Sequence, residues 1–155
     1  MSDERQSVPC AGPEHRQFDF WIGRWDVFDP SGTRVGRNTI SAVLNGCALR
    51  ERWEGVSGLR GTSLNIYSAG RAQWHQTWVD SAGSLLLLDG GIRDGDMVLE
   101  GRTPSGENGT PAVRHRITWS VVNGDIDRVR QHWETSPDGT AWQTAFDGLY
   151  VRVPD

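Results

Sequence analysis

The chain has 155 residues and a formal net charge of -4, and its sixteen Lys+Arg positions are all arginine. One domain of this size buries roughly two thirds of its unfolded surface, and an acidic balance without basic runs argues against nucleic acid and membrane surfaces as partners, since both are held by neutralising phosphate charge. No apolar run approaches the roughly 20 residues that cross a bilayer as a helix, and the opening "MSDERQSVPCAGPEH" lacks the basic start and apolar stretch of a secretory signal, so a soluble, cytoplasmic protein is expected.

Residues 1–13 read as a flexible leader and residues 14–155 as a single domain. Cys10, in the leader, and Cys47, beside a turn, fit neither a disulfide framework nor a metal-ligand spacing, and the expectation is that they are unpaired and that the chain carries no metal site. The one helical candidate is "PEHRQFDFWIG", with Pro13 placed as a first-turn residue and Gly23 as a stop. Beyond it, glycine-containing turns such as "DPSG", "LNGC", "DSAG", "RDGD", "VNGD" and "SPDG" recur every ten to fifteen residues or so, separating segments that alternate polar and apolar side chains. This spacing predicts strands near 24–29, 34–44, 47–55, 60–68, 72–80, 84–90, 96–102, 112–122, 126–136 and 141–152. Asn45-Gly46, Asp94-Gly95 and Asn123-Gly124 have the chemistry of two-residue hairpin turns, which need positive φ at both positions. "TPSGENGT", 103–110, reads as a longer mobile loop. The fold class is therefore all-β: an up-and-down antiparallel β-barrel of about ten strands, closed to remove its edges, with one end capped by the short N-terminal helix.

Period-two alternation assigns the faces. In "ALRERWE" it sends Leu49, Glu51 and Trp53 inward; in "QWHQTWVD" Trp74, Gln76 and Trp78; in "VRHRITWSV" Val113, His115, Ile117, Trp119 and Val121; in "DRVRQHWET" Val129, Gln131 and Trp133. His75 and His132 fall outside, Met97 and Leu99 inside, and for "SLLLLDG" alternation does not decide. Polar Glu51, Gln76, His115 and Gln131 thus lie in an aromatic interior, where an unpaired polar group costs about 1–3 kcal/mol. Glu51-x-Trp53, Gln76-x-Trp78 and Gln131-x-Trp133 sit on the third, fifth and ninth strands, which run in the same direction. Their polar groups are expected to form one level and their indoles the next.

The segment "FDFWIGRWDV", with Gly23-Arg24-Trp25 leading into the first strand, joined to the meander and to "GLYVRVPD" at its end, resembles the calycin superfamily of lipocalins and fatty-acid-binding proteins, in a bacterial branch. The likeness covers nearly the whole chain after residue 14. It implies a barrel around a cavity for a small, largely apolar ligand, with Gly23, Trp25 and Arg152 at the barrel closure. In nitrobindin-like relatives a histidine near the C-terminus binds haem iron; here the last histidine is His132 and the final strand has none, so no cofactor is expected.

The preferred reading is a binding protein for a small hydrophobic or aromatic molecule, held by Glu51, Trp53, Asn65, Tyr67, Trp74, Gln76, Trp78, His115, Trp119, Gln131 and Trp133, with no catalytic residue. The alternative is an enzyme, an isomerase or hydrolase working by proton transfer between Glu51 and His115 in the same cavity. In a third reading the interior is filled and the protein works through its outer surface or as a homodimer. Glu51 locked onto an arginine such as Arg152 would favour binding or structure over chemistry.

Overall fold

The structure, a computed structural model, describes residues 8–106 and 110–155. Its ten strands are β1 Gly23–Phe28, β2 Arg34–Val43, β3 Ala48–Gly55, β4 Arg60–Ser68, β5 Gln73–Asp80, β6 Leu85–Arg93, β7 Asp96–Thr103, β8 Val113–Val122, β9 Asp125–Ser136 and β10 Gln143–Arg152. Each pairs antiparallel with its sequence neighbours, and β1 pairs with β10, so the sheet closes into an up-and-down barrel. No helix among the described residues is long and apolar enough to cross a membrane.

The predicted N-terminal helix is two single 3-10 turns, Pro13–Arg16 and Asp19–Trp21. They precede β1 and therefore sit at the end of the barrel where the odd-numbered strands begin. Phe18 and Trp21 are fully buried there. The Phe18 ring stacks on Trp21 at 4.7 Å between centroids and meets Trp74 at 5.6 Å and Trp119 at 5.1 Å. This aromatic plug fills one end. The opposite end, where the odd strands finish, is the mouth.

Closure occurs where Trp25 faces Arg152 across the β1–β10 pair. The Arg152 guanidinium lies 4.2 Å from the centre of the Trp25 ring and donates to the carbonyls of Ile22 (2.8 Å) and Ile126 (2.9 Å) and to Asp127 (2.9 Å). The Trp25 indole N–H donates to the Trp21 carbonyl at 2.9 Å. Gly23 has φ +147°, and a Cβ there would lie 2.3 Å from the Arg152 guanidinium, so both the backbone and the space require glycine. The expected closure by Gly23, Trp25 and Arg152 is therefore a packed cation–π lock.

Three expectations are corrected. Cys10 and Cys47 form a disulfide, with Cα atoms 5.1 Å apart. The bridge pins the segment before the plug to the turn after β2, where Arg16 also donates to the carbonyls of Cys10 and Gly46. The described residues of the leader, 8–13, are thus tethered; residues 1–7 lie outside the described residues, as do 107–109 of the expected loop. Second, Asn45-Gly46 is not a two-residue hairpin. The turn spans 44–47 with Leu44, Asn45 and Gly46 all at positive φ, whereas Asp94-Gly95 and Asn123-Gly124 do have the paired positive φ of that turn. Third, β6 runs on through Gly90-Gly91 to Arg93. Gly90 marks a close approach of β7, whose Val98 carbonyl oxygen would lie 2.0 Å from a Cβ there.

The bridged cysteines are 37 residues apart, and a cross-link of that span stabilises by about 2–4 kcal/mol through the unfolded chain. Cys10→Ser/Cys47→Ser should therefore lower denaturant stability by that amount with the barrel's circular-dichroism spectrum retained. Unchanged stability would show that the bridge does no such work.

Candidate functional site

Above the plug, alternation places a layer of polar side chains that runs around six of the ten strands, connected by hydrogen bonds. Asn65 Nδ2 donates to the Leu49 carbonyl at 3.3 Å, an atom that can only accept, and this fixes the amide's orientation. Asn65 Oδ1 must then accept, and does so from Gln76 Nε2 at 2.7 Å. Asn65 Nδ2 also donates to Ser63 Oγ at 2.9 Å, leaving the Ser63 hydroxyl to donate to Glu51 Oε1 at 2.7 Å. From the other side Asn38 Nδ2 donates to Glu51 Oε2 at 2.7 Å and to the Tyr150 hydroxyl at 2.9 Å, and Tyr150 donates to Gln131 Oε1 at 2.5 Å. Every donor on this path points toward the carboxylate or toward Gln131. Among the described residues Gln76 Oε1, Gln131 Nε2 and the buried Asn38 Oδ1 are left without a protein partner.

Glu51 is 4% exposed, and among the described residues no arginine meets it. Burial pushes its carboxyl above the ordinary value, and the bonds from Asn38 and Ser63 oppose the shift. Burial also raises the Tyr150 hydroxyl well above its usual range, with the nearby Glu51 charge adding to the effect. Arg152, the sequence-level candidate to pair with Glu51, is spent at the barrel closure.

Toward the mouth from this layer lies a cavity of about 230 Å³. Glu51, Gln76, Gln131 and Tyr150 form its inner end; Trp53, Trp78, Trp133 and Phe146 wall it; Leu59, Leu86, Ile117 and Ala145 complete the lining. Polar residues and indoles from β3, β5 and β9 meet in this one space, as the spacing predicts. The indoles have room because two neighbours are glycines. A Cβ on Gly36 would lie 2.6 Å from the Trp53 ring, and one on Gly61 2.0 Å from the Trp78 ring. Each of these two rings thus lies back against bare backbone instead of filling the lumen. The indole N–H of Trp78 donates to Asp80 at 3.0 Å and that of Trp133 to His115 Nδ1 at 3.1 Å, which holds both rings in place.

Several predicted site residues sit elsewhere. Trp74 and Trp119 belong to the plug, and Tyr67 packs beside it, edge-on to His15 at 5.1 Å. Asn65 stands behind Gln76 as its partner. His115 faces inward but does not line the cavity. Its Nδ1 accepts from Trp133, so the ring proton is on Nε2, which donates to Thr103 at 3.1 Å, and burial lowers its pKa. Glu51 and His115 are therefore engaged in separate hydrogen-bond sets. His75 and His132 are on the outer face, bonded to Asp89 (2.8 Å) and Thr144 (2.9 Å) respectively. Asn38, Ser63, Phe146 and Tyr150 were not singled out from the sequence. The alternation that found Glu51 would have found them had it been applied to β2, β4 and β10, since Gly36, Asn38 and Ile40 face inward together, as do Gly61, Ser63 and Asn65, and Phe146, Gly148 and Tyr150.

Among the described residues no cluster of three or more His, Cys, Asp or Glu side chains could hold a metal ion. The chain matches no family model and no curated protein.

The Glu51 shift has a signed consequence. Its folded pKa lies above the unfolded value of 4.5, so between the two the folded chain retains a proton that the unfolded chain has lost. Stability therefore falls as pH rises through that window and levels off above the folded pKa. The groups facing Glu51 are Asn38 from β2, Ser63 from β4 and, through Asn38, Tyr150 from β10, and none of these titrates in the window. Glu51→Gln should gain stability relative to the wild type as pH rises from mildly acidic to neutral, measured by urea denaturation. Parallel pH profiles would contradict a raised Glu51 pKa.

Proposed function

We propose that the chain is a calycin-like barrel that binds a small, largely apolar or aromatic molecule in the cavity at its mouth. The observation that carries this reading is the pairing of indole walls seated on glycines with an inner end of oriented polar groups. A packing core gains nothing from leaving space there or from leaving Gln76 Oε1 and Gln131 Nε2 unmatched, whereas ligand sites combine apolar walls with a few placed polar atoms. The superfamily assignment is supported by the up-and-down closure and by the Gly23, Trp25 and Arg152 lock. At about 230 Å³ the cavity lies below the usual range for drug-sized ligands and suits a molecule with one or two rings. The Cys10–Cys47 bridge is of a kind that persists in oxidising surroundings, which weighs against the cytoplasmic expectation.

The enzyme reading receives less support, because the expected base and its proton partner do not share the cavity. Titration calorimetry with 1-naphthylmethanol, a neutral two-ring probe, tests the binding reading. One saturable site per chain is expected, weakened about tenfold or more, roughly 1.4 kcal/mol, by Gly61→Ala, which drives the Trp78 ring off its seat. Absence of binding, or affinity unaffected by Gly61→Ala, would count against a ligand in this cavity.

A further inference from the structure

We propose that the ligand is an organic cation, an ammonium on an aromatic or compact apolar body, with its charged end at the Glu51 carboxylate and Gln76 Oε1 and its body between the indoles of Trp53, Trp78 and Trp133. This rests on the cavity being a ligand site and adds the sign of the ligand's charge.

The argument is the polarity of each group that reaches the space. Among the described residues Glu51 is the one acid of the lining, and neither arginine nor histidine lines the space. Its two oxygens receive one donor each, from Ser63 and Asn38, and an ionised carboxylate has lone pairs for about four. The direction of the neighbouring bonds, fixed from the Leu49 carbonyl outward, turns the oxygen and not the nitrogen of Gln76 to the cavity. Three indoles and the Phe146 ring line the space; the π density of aromatic rings attracts cations, and desolvation inside the barrel strengthens that attraction. A carboxylate ligand would meet Glu51 with no positive group to compensate, a like-charge contact in a low-dielectric space. A neutral ligand can bring an O–H or N–H donor to these acceptors but no charge to match the Glu51 carboxylate. An ammonium brings several donors together with a positive charge, and so answers the carboxylate and the aromatic walls at once. Gln131 Nε2, on the other wall, is a spare donor and fits an oxygen atom on the ligand body.

The test compares three probes of one shape on the full disulfide-bonded chain at neutral pH: 1-naphthylmethylamine, which is protonated, 1-naphthylmethanol, which is neutral, and 1-naphthoate, an anion. Calorimetry should give the order ammonium, alcohol, carboxylate, with the ammonium at least about tenfold tighter than the alcohol. Glu51→Gln should weaken the ammonium about tenfold or more and remove its advantage over the alcohol measured on the same variant. An alcohol that binds as tightly as the ammonium, or a carboxylate that binds tightest, overturns the cation inference and leaves the binding reading standing. If none of the three binds, both fall. The wild-type comparison decides the matter even if the variant does not fold.

Discussion

The burial of the Glu51 carboxyl inside the barrel, with no cation beside it among the described residues, is the constraint around which the interior is arranged. A buried acid of this kind either stays protonated or is surrounded by donors, because an unsolvated charge costs several kcal/mol in practice. The chain uses both responses. Burial raises the carboxyl's pKa, and Asn38 and Ser63 each bring it a donor. Those donors need orientation, which comes from Asn65 on one side and Tyr150 on the other, and so the demand of one side chain spreads around the barrel until it ends at Gln76 and Gln131. The free atoms that face the cavity are the loose ends of that network.

The aromatic residues divide their work by level. At the plug, Phe18, Trp21, Trp74 and Trp119 pack on one another and are fully or almost fully buried. They fill space and, with the Arg152 lock and the Cys10–Cys47 bridge, hold the barrel closed. At the mouth, Trp53, Trp78 and Trp133 are only partly buried. Two of the mouth rings, Trp53 and Trp78, lie where Gly36 and Gly61 carry no side chain, and so they run along the wall and leave space beside them.

The ten-strand meander was legible because turn chemistry and alternation are local, and the levels of Glu51, Gln76 and Gln131 with their tryptophans followed from strand parity alone. Alternation left "SLLLLDG" open because four apolar residues in a row carry no periodicity; the structure buries Leu86 and Leu88 and exposes Leu85 and Leu87. The disulfide was not legible, since it depends on the plug crossing beneath the turn after β2, a contact between segments with no shared pattern. Nor could alternation tell plug tryptophans from mouth tryptophans. Facing is a property of one strand, whereas depth along the barrel depends on register, and Trp74 and Trp78 differ in depth although they share a face. His115 shows the same limit: its side is right, but its ring is used to fix Trp133.

Stability and recognition pull against each other at Glu51. An apolar residue of similar size would remove the desolvation cost and would relieve Asn38 and Ser63 of their shared acceptor, and replacing a buried ionisable group with packing is often neutral or stabilising. Retaining a carboxyl there makes the folded state less stable as pH rises, while the cavity gains an acid on its wall. The rest of the molecule limits what that concession costs. The closure lock, the aromatic plug and the disulfide all lie toward the far end, and Trp25 of the lock meets the Tyr150 ring edge-on beneath the cavity. The mouth can therefore hold an unfavourably buried acid and open space while the opposite end holds the barrel together.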